Sequence, residues 1–146
     1  MTNMTKQTKG SRRGVLHGSA LALVSLPLMG VCSDASAATR TTKAVLDHHL
    51  GAFAKGLDEL MKDYSASSFI LTHDKQYRGQ AEIRGFFDGF LKSVKPGFWE
   101  AFKINAQAIH ADVAYLLWEA KPFVNIATDT LVVRGGKIAV QTFTAG

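Results

Sequence analysis

Apolar residues recur along this chain with two different periods, and the change of period divides it. From Thr41 onward Leu46, Leu50, Phe53 and Leu57 fall at i, i+4, i+7 and i+11, one stripe of an amphipathic helix. Gly56 interrupts that stripe, and Leu57, Leu60 and Met61 predict a second short helix ending near Tyr64. The stretch Ser65-Ala66-Ser67-Ser68 reads as a turn, and Phe69 to His73 as a strand. Alternation puts Phe69, Leu71 and His73 on one strand face and Ile70 and Thr72 on the other. A third helix follows Gly79, with Ile83, Phe86, Phe87, Phe90, Leu91 and Val94 making a broad apolar face that Pro96-Gly97 stops.

Beyond that point the period becomes two. Phe98 to His110 alternates through Phe102, Ile104, Ala106 and Ala108. Asp112 to Lys121 is rich in bulky residues and ends at Pro122. Phe123 to Arg134 and Lys137 to Thr144 are joined by Gly135-Gly136, a link suited to a primed hairpin turn. The expected fold class is α+β, with three N-terminal helices packed on one face of a curved antiparallel sheet.

The first 37 residues follow a different rule. A polar stretch leads to Arg12-Arg13, an apolar run extends from Gly18 to Val31, and Ala35-Ser36-Ala37 offers a small-x-small cleavage site. This is the layout of a secretory signal, and the paired arginines resemble a twin-arginine leader. A run of about 14 residues containing Pro27 is short for a membrane span, which needs roughly 20. Lipidation at Cys32 is the alternative, although Val31 fits poorly before it. Cleavage after Ala37 would leave residues 38–146 as one domain, periplasmic or secreted.

Charge then changes little. The formal net charge is +5, but four of the 17 basic and one of the 12 acidic residues lie in the leader, leaving +2 over the rest. No basic stripe interleaved with aromatics occurs there, which argues against a nucleic-acid partner. The single cysteine, Cys32, lies in the leader, so a cleaved domain would have neither a disulfide nor a thiol nucleophile. His48, His49, His73 and Asp74 lack a metal-ligand spacing, and Arg134-Gly135-Gly136-Lys137 is a hairpin link rather than a phosphate loop, so no metal or cofactor is expected.

The element order, with three local phrases, resembles the nuclear-transport-factor-2-like superfamily, and within it the SnoaL-like and ketosteroid-isomerase-like branch. The phrases are Gly56-Leu57-Asp58-Glu59-Leu60-Met61-Lys62-Asp63-Tyr64, Tyr77-Arg78-Gly79-Gln80-Ala81-Glu82-Ile83, and Asp129-Thr130-Leu131-Val132-Val133-Arg134-Gly135-Gly136-Lys137-Ile138. The resemblance covers nearly all of residues 41–145. It implies a cone with a pocket at its open end and a homodimer formed through the sheet. The superfamily holds isomerases, dehydratases and cyclases beside non-enzymatic binders, so the fold alone does not give the function.

Carried over by position, the catalytic base of the ketosteroid isomerases falls on His73 and the oxyanion-stabilising acid on Asp129. The tyrosine that supplies the other oxyanion donor falls on His49, or on His48 without an alignment gap. His49 is preferred because it flanks the Leu46–Leu50–Phe53 stripe. A His/Asp pair is closer in type to the dehydratases, in which histidine removes a proton and a carboxyl orients it. Asp129 alternates with Leu131 and Val133, so an inward face would bury it. If the other face is inward, it is a solvated residue beside Thr128 and Thr130. Tyr115, Trp118 and Phe123, with Trp99, are candidate pocket walls for a small apolar or polar–apolar molecule. Two readings stay open: a lyase or isomerase using His–Asp acid–base chemistry, and a non-catalytic ligand-binding or protein-interaction module.

Overall fold

A computed structural model describes residues 39–146; the leader at residues 1–37, with its twin arginines and Cys32, lies outside the described residues. Helix α1, Thr42–Ala52, starts where the Thr41 hydroxyl accepts the backbone N–H of Ala44 at 3.2 Å. Gly56, at a φ of 98° that favours glycine, turns the chain into α2, Leu57–Met61. Strands β1, Tyr64–Leu71, and β2, Gln76–Arg78, form a hairpin leading into α3, Gly79–Ser93. A four-residue helix α4, Phe98–Ala101, precedes β3, Phe102–His110, β4, Val113–Ala120, β5, Val124–Arg134, and β6, Lys137–Ala145.

The six strands form one sheet in the order β2-β1-β6-β5-β4-β3. Strands β3 to β6 make the expected antiparallel meander, and Gly135 and Gly136 both take positive φ, 58° and 71°, as a primed turn requires. The sheet is mixed, however, because β1 lies parallel to β6. Periodicity locates a strand but carries no information on which edge a non-sequential neighbour joins. Helices α1 and α3 cover the face on which Ala114, Leu116, Trp118, Ala127 and Leu131 are buried. Ile83 and Phe87 anchor α3 there, and truncating a buried phenylalanine of this kind costs about 3–5 kcal/mol.

Three local expectations need correction. The serine-rich stretch is not a turn but a bulge inside β1: Tyr64 pairs with Ile138 and Phe69 with Val140, so residues 65–68 oppose Ala139 alone. The bulge is pinned by Ser68, whose hydroxyl accepts the N–H of Ser65 at 2.8 Å and donates to the Ile138 carbonyl at 2.6 Å. The strand expected over Phe69 to His73 therefore begins at Tyr64 and ends at Leu71. Residues 98–101 form a helix rather than the start of a strand, making four helices among the described residues instead of three; four residues are too few to display a helical period. Among the described residues no helix is long and apolar enough to cross a membrane.

Candidate functional site

Helices α1, α3 and α4 and the concave face of the sheet enclose a cavity of about 360 Å³. Nine aromatic rings line it: Phe53 at the C-terminal cap of α1, Phe86, Phe87 and Phe90 from α3, Phe98 and Trp99 from α4, and Phe102, Trp118 and Phe143 from the strands. They meet largely edge to face, and the Trp118 and Phe143 rings stack at 6.2 Å. Among the described residues three polar side chains join them, His49, Asp129 and Gln141.

Asp129 sits mid-strand on β5, in register with Leu116 of β4 and Phe143 of β6. The inward alternation of Ala127, Asp129, Leu131 and Val133 is the one that aims it at the cavity. Trp118 Nε1 donates to one carboxylate oxygen at 2.7 Å, and Gln141 Nε2 donates to the other at 2.8 Å. The Tyr64 hydroxyl donates in turn to the Gln141 amide oxygen, which fixes the amide the right way round. Burial among the rings pushes the Asp129 carboxyl above its ordinary range, and the two donors together with His49 only partly offset this. Burial, and secondarily the charges of Asp129 and Asp63, hold the Tyr64 hydroxyl well above the ordinary tyrosine value, so it remains a donor.

His49 is buried on the inner side of α1, its ring edge-on to Phe53, Tyr64 and Phe87. Its Nδ1 lies 3.5 Å from Asp63, which occupies the turn between α2 and β1 and is fully buried. His48 Nδ1 approaches the other Asp63 oxygen at 2.8 Å, and Arg40 approaches it at 3.0 Å. None of these approaches to Asp63 is aligned as a hydrogen bond. Burial alone would raise the Asp63 carboxyl, but His49 and His48 outweigh it and hold it below the ordinary range.

Of the residues singled out from sequence, His49, Asp129 and Trp118 therefore share one cavity, as does Trp99 at its edge. His73 does not join them. Because β1 ends at Leu71, His73 lies in the loop beyond, its side chain 77% exposed and 3.8 Å from Asp74, so the expected His73–Asp129 pair does not form. Tyr115 pairs with Ala108 and Thr130 on the outer sheet face and is 37% exposed. Phe123 stands 41% exposed outside the lining, its ring 6.0 Å from that of Phe98. His48 is half-buried between Glu59 and Asp63 and does not line the cavity. Sequence reasoning missed Gln141, Tyr64, Asp63 and most of the aromatic wall; the phenylalanine stripe of α3 was the available signal for the last. Among the described residues no three His, Cys, Asp or Glu side chains are placed to hold one metal ion.

No family model matches the chain, and no curated protein matches it in sequence. Solved structures do match in fold. A candidate SnoaL-like polyketide cyclase from Shewanella denitrificans aligns at a TM-score of 0.58 and 14% identity, over 72% of this chain and 90% of that one. An NTF-2-like protein of unknown function from Burkholderia xenovorans gives 0.58 and 14% over 72% and 82%. A protein with a ketosteroid-isomerase-like fold from Catenulispora acidiphila, solved with trimethylamine, gives 0.54 and 14% over 70% and 85%. At such identities the likeness establishes a shared fold and nothing finer.

Proposed function

We propose that this domain binds a small, largely apolar carbonyl compound and shifts a proton on it, with His49 and Asp129 as the acid–base pair. One observation carries the reading: a carboxyl raised above its ordinary range faces the same aromatic cavity as a histidine. One member of the pair takes a proton from the carbon beside the carbonyl, and the other supplies a proton to the developing oxyanion. Reprotonation at carbon, or loss of a neighbouring leaving group, restores the pair and gives an isomerase or a lyase. The rings hold the apolar body and exclude water, which strengthens both groups. The fold shared with the SnoaL-like and ketosteroid-isomerase-like structures supports this class of chemistry by analogy.

The test uses the two tryptophans, the only two in the chain, because both line the cavity and their fluorescence reports occupancy. Small ketones that quench this fluorescence should exchange their α-protons for deuterium in D2O, followed by proton NMR. Asp129→Asn should slow that exchange roughly 10²–10⁴-fold. Ketones that bind without any accelerated exchange would sink the proposal.

A second reading has its own observation, the nine rings around a single carboxylate, which suit an organic ammonium ion held by cation–π attraction. A neighbour of this fold was solved with trimethylamine. Quenching by alkylammonium ions but not by ketones, lost in Asp129→Asn, would favour that non-catalytic role. We also propose export by the N-terminal leader with cleavage after Ala37, which cell fractionation and N-terminal sequencing would test. Dimerisation through the outer sheet face around Tyr115 completes the proposal, and light scattering measures it.

A further inference from the structure

His49 has one ring nitrogen turned away from the cavity, and what that nitrogen meets is unusual for a helix interior. Asp63 is fully buried and does not line the cavity. Its carboxylate is approached by His49 Nδ1 at 3.5 Å, by His48 Nδ1 at 2.8 Å and by Arg40 at 3.0 Å. His48 is itself held, its Nε2 lying 2.9 Å from Glu59. Arg40 also donates to the Gly136 carbonyl at 3.0 Å. The carboxylate is thus surrounded by basic groups from two segments and cannot easily turn.

We propose that Asp63 is a positioning residue for His49: it claims the proton on Nδ1 and so presents Nε2 to the cavity as a proton acceptor. The inference rests on the acid–base reading above and assigns its direction. A neutral imidazole carries one N–H, and a carboxylate beside Nδ1 selects the tautomer that donates to it. His49 then enters the reaction as the base, and Asp129 acts as the acid in its protonated form, its carboxyl oxygens accepting from Trp118 and Gln141 while its own O–H goes to the developing oxyanion. As the base takes up a proton at Nε2, the negative charge of Asp63 stabilises the imidazolium that forms. The 3.5 Å contact needs only a small ring shift to close into a hydrogen bond, as catalytic contacts commonly do when a ligand fills the site. The other titratable or charged groups that bear on His49 are His48 on its own helix, Arg40 behind Asp63, Tyr64 of β1 and Asp129 of β5.

The experiment reads the tautomer directly and needs no substrate. Long-range nitrogen–proton correlation spectra of the 15N-labelled full chain, with His49→Gln identifying the signal, distinguish the protonated from the unprotonated nitrogen. The expected result is a neutral His49 with Nδ1 protonated and Nε2 free, reversed in Asp63→Asn. An Nε2–H tautomer in the wild-type chain overturns the inference, and so does an unchanged tautomer in Asp63→Asn with a dispersed amide spectrum. If Asp63→Asn fails to fold, the wild-type tautomer decides alone. Failure of the α-proton exchange assay would instead sink the proposed activity and leave this tautomer result standing.

Discussion

Asp63, in the turn between α2 and β1, is ringed by His48, His49 and Arg40, whereas Asp129, in the middle of β5, is held by two neutral donors, Trp118 and Gln141. The two carboxyls accordingly shift in opposite directions, Asp63 below its ordinary range and Asp129 above it. A buried carboxylate with basic neighbours is committed to its charge and serves the fold. One compensated mainly by dipoles sits closer to the point where it can accept or release a proton. Both bear on His49, so one chain contains two opposite solutions to the same problem of burying an acid.

The comparison predicts its largest effect at Asp63. Replacing it with alanine leaves His48, His49 and Arg40 facing one another without their counter-charge, and should cost about 3 kcal/mol of stability, the lower end for a broken buried pair because Arg40 and His48 are partly exposed. Denaturant unfolding measures it; a loss below about 1 kcal/mol would mean the cluster is not an ion network at all. Next comes Trp118→Phe, which keeps the ring but strips one donor from Asp129. It should cost about 2 kcal/mol, the scale of a hydrogen bond to a charged acceptor, and push the Asp129 carboxyl higher still. An unchanged titration of Asp129 in carboxyl NMR would show that the indole does not stabilise the charge.

A pH titration of stability separates the two acids by sign. Asp63, with its value lowered by folding, contributes stability that is present above the unfolded carboxylate value of about 3.9 and is lost as pH falls through its folded value. Asp129, with its value raised, is protonated in both states at low pH, and its penalty grows as pH rises from about 3.9 through its folded value. Asp129→Asn should therefore gain on the wild-type protein across that rising window and hold the gain above it. A stability difference flat from pH 3 to 8 would remove the distinction between the two sites.

Which of these residues could be read in the sequence follows from whether the local period survives into the fold. Asp129 was legible because β5 keeps its alternation from Ala127 to Val133, and His49 because α1 keeps its stripe. Gln141 was not. Counting by twos from Ile138 places Val140 and Thr142 inward, but the extra residue Ala139 in β6 reverses the parity and brings Gln141 and Phe143 into the cavity. Asp63 lies in a turn, where no period exists, and its partners come from Arg40 and α1. His73 was displaced for a different reason: β1 ends at Leu71 and the Thr72–Lys75 turn carries the chain into β2, leaving the expected base in the loop.

The smallest effect sharpens the contrast from outside. Among the described residues His73 approaches the carboxylate of Asp74 at 3.8 Å, between two largely exposed side chains, a pair that contributes little. His73→Ala should leave stability within about 0.5 kcal/mol of the wild-type protein. It should equally leave ligand quenching of Trp99 and Trp118, and any α-proton exchange, unchanged, while His49→Gln abolishes the exchange and leaves the quenching. A loss of exchange in His73→Ala would require the loop after β1 to fold over the cavity mouth when a ligand binds. The acid–base pair would then be His73 with Asp129, and the Asp63–His49 contact would be purely structural.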